Sequence, residues 1–157
     1  MVDGGNKLQH SLMKNDPFPR ERCHRANCPL ITDKGGCKEK CYQEHVNYTI
    51  TCTACKDKTV IYIGESSRGC YIRYEQHMAD YRRKERFMWE HAQEYHQGQT
   101  DIKFSMIRVA TDRDPMRRIV RESIRIIENR KDETVHLLNS KKEWFGISAI
   151  QPAFTQE

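Results

Sequence analysis

Six of the seven cysteines lie between positions 23 and 55, in three close pairs: Cys23-x4-Cys28, Cys37-x3-Cys41 and Cys52-x2-Cys55. Thiolates presented in pairs on short turns are the donors that tetrahedral zinc takes. The N-terminus, Met1-Val-Asp-Gly-Gly-Asn-Lys, lacks the charged-then-apolar profile of a signal peptide, so an intracellular, reducing setting is expected. Reduced thiols favour metal ligation over a disulfide framework. Only 37% of the residues are hydrophobic and 31% are charged. An apolar core of that size is thin and needs another fastening, which a structural zinc module would supply.

The ligand set is open at this level. Cys37-x3-Cys41-x10-Cys52-x2-Cys55 is spaced like a zinc ribbon, yet Cys23 and Cys28 could replace either member of the first pair. Six thiols do not divide by four, so His24, His45, His77 or His91 could complete a second site. The competing reading is a set of reduced, buried cysteines without metal, and Cys70, standing alone, is expected to be a small core residue of that kind.

The 157 residues suit one domain, or one small domain with an appendage. No apolar run approaches the ~20 residues of a membrane helix, so no membrane partner is expected. Residues 1–22 read as a polar, mobile lead-in broken by Pro17 and Pro19, residues 23–45 as the cysteine-rich zinc-binding segment, and residues 46–157 as the main domain. Within that domain Val46, Tyr48, Ile50 and Cys52 alternate with Asn47, Thr49 and Thr51, which predicts a strand. Thr59–Gly64 predicts a second, antiparallel to it across the short Cys52–Lys58 link. Tyr71, Tyr74, Met78 and Tyr81 recur at helical spacing after a start supplied by Glu65-Ser66. A second helix is expected over 86–95, a third strand near 102–109, and a third helix capped by Asp114 with Pro115 at its first position. In that last helix Met116, Ile119, Val120, Ser123 and Ile127 form the expected inward stripe, with Arg118, Arg121 and Arg125 opposite. The expected fold class is α/β: a small three-stranded antiparallel sheet flanked by helices.

Tyr48-Thr-Ile-Thr-Cys-Thr-Ala-Cys, then Tyr62-Ile-Gly-Glu-Ser-Ser-Arg, then Arg73-x3-His77 resembles the GIY-YIG nuclease family. The chain is most similar to the endonuclease domain of Penelope-like and related eukaryotic retroelements, in which a Cys-x2-Cys lies between the two tyrosine motifs. The similarity continues through Trp89-x-His91-x3-Tyr95-His96-x-Gly98, Arg121-Glu-Ser-Ile-Arg-Ile and Leu137-Leu-Asn-Ser-Lys-x-Glu-Trp144. It departs where the first motif reads Tyr48-Thr-Ile rather than Gly-Ile-Tyr, so only the tyrosine carries over.

The resemblance implies a divalent-metal-dependent DNA endonuclease that nicks one strand and leaves a 3′-hydroxyl to prime reverse transcription. It assigns one Mg²⁺ or Mn²⁺ to Glu122, a water-orienting or general-base role to Tyr48, a helping role to Tyr62 and phosphate stabilisation to Arg73. His77 would be a second base, a phosphate donor or an ordinary helix histidine, and Asn139 would support the site by hydrogen bonding. The partners implied are DNA and an attached reverse transcriptase, in the nucleus, with the chain acting as a monomer. The excess of 27 Lys+Arg over 22 Asp+Glu, with a cluster at Arg82, Arg83, Lys84 and Arg86, fits phosphate binding of low sequence preference. The other class of function is a catalytically inactive, zinc-stabilised nucleic-acid-binding module. Trp89 and Trp144 are expected to be packing residues.

Overall fold

A computed structural model describes Cys23, Arg25, residues 28–30, Cys37 and residues 40–139. The lead-in 1–22, His24 and Trp144 lie outside the described residues. Strand β1 (Val46–Cys52) forms where the alternation begins, and β2 (Thr59–Ser66) returns antiparallel to it, pairing Tyr48 with Gly64 and Ile50 with Tyr62. Helices α1 (Cys70–Arg82) and α2 (Arg86–Tyr95) follow, then β3 (Phe104–Thr111), α3 (Pro115–Arg130) and β4 (Val135–Leu137). The sheet order is β3-β1-β2-β4, with β3 antiparallel to β1 and β4 parallel to β2. The expected sheet of three antiparallel strands is thus corrected to a mixed sheet of four. β4 is three residues long, too short for alternation to register in sequence, and it exists because β2 offers a free edge beside it.

The two sheet faces are covered differently. Val46, Tyr48, Ile50 and Cys52 join Tyr62, Phe104 and Met106 in the main core, closed by Tyr81 of α1 and by Met88 and Ala92 of α2. The predicted stripe on α1 packs as expected, with Tyr81 buried and Tyr71, Tyr74 and Met78 half-buried against this core. Trp89 packs here too, and Cys70 is buried within it. Ser66 and Glu65 do not cap α1: Gly69 holds the cap position, Ser66 Oγ accepts from Arg68 N within the turn (3.0 Å), and Glu65 turns to Arg118.

On the other face Ile61 and Ile63 meet Ile126, Val135 and Leu137 under α3. Asp114 caps this helix as expected, accepting from Met116 N (2.9 Å) and Arg117 N (3.4 Å). Its rotation is the reverse of the expected one. Arg118 is buried, with Nε 2.8 Å from Glu65, while Arg121 Nη1 donates to Asn47 Oδ1 (3.1 Å) and Arg125 Nη2 to Thr49 Oγ1 (3.0 Å). Met116, Ile119 and Val120 are exposed, and Ser123 and Ile127 are half-buried. The physical reason is the surface beneath: Asn47, Thr49 and Glu65 present acceptors that planar guanidinium forks satisfy and an aliphatic stripe would leave unpaired. Arg118, Arg121 and Arg125 are therefore sheet-bound groups, not the outward face expected opposite the apolar stripe.

The cysteine-rich segment docks on the edge of β3, where Met106 N donates to Pro29 O (2.9 Å), and Cys28, Leu30, Cys37 and Cys41 enter the main core. It also meets the start of α1: Cys70 N donates to Gln43 O (3.1 Å) and the Arg25 guanidinium lies 3.5 Å from the centre of the Tyr71 ring.

Candidate functional site

β1, β2 and α1 bring Tyr48, Tyr62, Arg73 and His77 together, as the sequence motifs imply. Tyr48 and Tyr62 point to the same side of the hairpin, ring centres 6.4 Å apart. The Tyr48 ring crosses Gly64 so closely that a Cβ there would stand 2.5 Å from its Cζ and hydroxyl oxygen, which is why this strand position needs glycine. From α1, one turn apart, Arg73 Nε donates to the Tyr48 hydroxyl (3.1 Å) and His77 Nε2 lies 2.8 Å from the same oxygen. A hydroxyl that accepts from Arg73 and donates to a neutral His77 satisfies both contacts and leaves the ring proton of His77 on Nδ1.

The electrostatics agree. Burial pushes the Tyr48 phenol well above its ordinary range, outweighing the Arg73 charge that favours ionisation; the negative charges of Glu122 and Glu65 push the same way as burial. Burial, then Arg73 and Arg86, depress His77 to about 3, so it is a neutral imidazole through the physiological range. Tyr48 is wholly buried while Arg73 is half-buried, making the guanidinium the more accessible end of the pair.

Glu122 is half-buried on α3, and its negative charge adds to the rise of the Tyr48 phenol. On the same helix Arg118 bonds Glu65 and the carbonyls of Asp112 and Arg113, and Arg125 bonds Thr49. Asn139, buried beyond β4, clasps the Ile63 peptide, Oδ1 accepting from its N–H (2.9 Å) and Nδ2 donating to its C=O (2.7 Å). That clasp fixes the backbone between Tyr62 and Gly64. Phe87, which no sequence motif singles out, stacks on Tyr62 with centres 3.9 Å apart and planes 7° from parallel.

The thiols divide as four plus two. Cys23, Cys28, Cys37 and Cys41 converge in one group that could hold a metal ion, and Cys52 and Cys55 converge with His91 and His96 in another. The ribbon-like set Cys37, Cys41, Cys52 and Cys55 does not form, and neither group includes His45 or His77. His91 is among the candidates and His96 is not, although Cys52-x2-Cys55 followed by His91-x4-His96 matches the Cys-x2–4-Cys…His-x3–5-His spacing of zinc sites, the signal that could have found it. In the mixed group Cys55 Sγ is 3.4 Å from His91 Nε2 and 3.3 Å from His96 Nε2, Cys52 Sγ is 3.5 Å from His96 Nε2, and the two imidazole nitrogens are 3.2 Å apart. Zn–N bonds near ~2.0 Å and Zn–S bonds near ~2.3 Å make tetrahedron edges of about 3.3 Å between nitrogens, about 3.5 Å between nitrogen and sulfur and about 3.8 Å between sulfurs, so the nitrogen–nitrogen and nitrogen–sulfur separations here fit zinc in type and spacing. In the four-thiol group Cys37 and Cys41 are 3.3 Å apart and Arg25 reaches toward Cys41 Sγ (3.9 Å).

Comparison with protein-family models, with curated proteins and with solved structures finds no match.

Proposed function

We propose that this chain is a divalent-metal-dependent DNA endonuclease of the GIY-YIG type that nicks one strand and leaves a 3′-hydroxyl, with two structural Zn²⁺ ions. One observation carries the reading: Tyr48, Tyr62, Arg73 and His77, from three separate elements, lie together on one side of the β1–β2 hairpin, and Arg73 and His77 both bond the Tyr48 hydroxyl. Phosphodiester hydrolysis needs an oriented water, a route for its proton and positive charge on the phosphoryl oxygens. Glu122 would hold the Mg²⁺ or Mn²⁺, which supplies Lewis-acid stabilisation of the phosphate. Arg73 presents a permanent charge and a donor fork to the scissile phosphate. Tyr48 keeps its proton at neutral pH, so its part as a base requires a receiver, and the 2.8 Å contact to the neutral His77 provides one. Tyr62 lines the same cleft. Asn139 keeps β2 in register rather than touching the reacting atoms.

DNA would approach over Arg73 and the exposed Arg82, Arg83, Lys84 and Arg86 that follow α1. In a retroelement the nick would prime an attached reverse transcriptase in the nucleus. A supercoiled-plasmid assay with Mg²⁺ or Mn²⁺ tests the reading. The chain is expected to convert plasmid to open circle and Glu122→Ala to lose that conversion while still binding DNA. Full cleavage by Glu122→Ala overturns the metal assignment, and binding without cleavage by the parent chain points to the inactive binding module.

A further inference from the structure

Helix α2 buries Met88 and Ala92 in the main core, but its own sequence does little to fix its ends. It spans Arg86–Tyr95, shorter than the ~12–15 residues at which isolated helices become even marginal, and its cap residue Glu85 makes no side-chain cap bond. The corner that leads into it places two non-glycine residues in the left-handed region, Lys84 (φ 62°) and Arg86 (φ 63°). Each costs on the order of 1 kcal/mol and persists only where surrounding contacts over-determine the conformation. Asp80 ties the corner through ion pairs to Arg83 and Arg86. The other end is tied by His91 and by His96 at the cap, whose Nε2 atoms converge with Cys52 and Cys55.

Between those ties sits Phe87, four residues before His91 and so on the same side of the helix. Its ring lies flat on Tyr62 and edge-on to His77 (5.2 Å, 74°), and His77 in turn bonds the Tyr48 hydroxyl. Helix α2 thus links the mixed metal-ligand group to the buried phenol: His91 and Phe87 lie one turn apart on one helix, and Phe87 contacts Tyr62 and His77. We propose that Phe87 is a positioning residue through which the Cys52, Cys55, His91 and His96 group sets the orientation of Tyr62 and His77. The catalytic consequence rests on the nuclease reading; the mechanical coupling does not.

Phe87→Leu in the full zinc-loaded chain is the test. Nicking kcat is expected to fall about 10-fold with KM for DNA unchanged, as for a misplaced site that still binds, and Phe87→Tyr is expected to restore it. Two readouts are independent of cleavage. The ring resonances of Tyr62 lose their stacking displacement in Phe87→Leu, and they do the same in the parent chain when the mixed-group ion is withdrawn. Because coupling is reciprocal, Phe87→Leu also releases that ion at several-fold lower chelator concentration, followed in the cobalt-substituted chain where two-thiolate and four-thiolate sites absorb differently. An unaltered release together with a Tyr62 signal indifferent to the ion overturns the proposal, whatever the nicking rate. A chain that nicks nothing yet shows both shifts keeps the coupling and loses the nuclease reading alone.

Discussion

The two metal-ligand groups are chemically alike and topologically opposite. Cys23, Cys28, Cys37 and Cys41 come from one short stretch, whereas Cys52 and Cys55 at the turn of the β1–β2 hairpin are joined to His91 and His96 across all of β2, α1 and α2. Closing the longer loop costs the unfolded chain more entropy, by about 0.6 kcal/mol for each doubling of length, so metal there removes more disorder. The groups also support different parts of the cleft. The four-thiol group rests on the start of α1, which carries Arg73 and His77; the mixed group holds α2, which carries Phe87. With zinc bound, a chain with a thin apolar core would therefore fasten two of the helices of its candidate site, α1 and α2, each through its own cluster of Cys and His donors.

The largest expected effect breaks that comparison if it is wrong. His91→Ala is expected to leave one zinc per chain and to destabilise the whole domain by more than about 4 kcal/mol, the range of lost metal sites. Cys28→Ser is expected to lose the other ion, to free Pro29 from Met106, and to lower the melting temperature less, because the β1–β2 hairpin and α2 remain joined. Elemental analysis with thermal unfolding of both variants checks this. Equal loss of structure would mean that the local group is as much a part of the domain core as the long-range one.

A smaller effect separates the cleft from both groups by pH. The folded-state value of His77 lies near 3, below the ordinary 6.5. Between those values the unfolded chain binds a proton that the folded chain refuses, so stability is full above pH 6.5 and declines as pH falls toward 3. Metal ligands also protonate in acid and add their own decline. His77→Gln keeps an acceptor for Tyr48 and removes the titration, so its urea midpoint should fall less steeply than the parent's between about pH 7 and pH 5. Parallel slopes for the two chains would assign the acid sensitivity to the metal groups.

Much of this was legible in the sequence, for reasons that also explain the failures. β1 alternates over seven residues and α2 is bounded by its neighbours' composition, so both were found with their limits. Arg73 and His77 are one turn apart on any helix, and Tyr48 and Tyr62 face one way in any hairpin of that register. β4 was not legible, being three residues held by an edge rather than by a pattern. The rotation of α3 was misread because periodicity identifies two stripes and says nothing about the surface they will meet; Asn47, Thr49 and Glu65 decided it. Phe87 owes its role to packing after the corner at Lys84–Arg86, which no local signal announces, whereas the His91-x4-His96 spacing does announce a ligand pair.

The smallest expected effect sharpens the comparison by α3, a helix that carries no member of either cysteine group. α3 begins with Asp114 accepting from two backbone N–H groups and with Pro115 preset for the first turn, so its N-terminus is satisfied locally. α2 lacks a side-chain cap and ends at the histidines of the mixed group. Asp114→Ala should therefore cost about 1 kcal/mol, the ordinary worth of a cap, with both zinc ions retained and the Tyr62 resonances unmoved. Thermal unfolding and elemental analysis of this one variant check it. A loss several times larger, or loss of zinc with it, would show that α3 shares the metal-dependent anchoring of α2, and the division into self-capped and metal-held helices would fall.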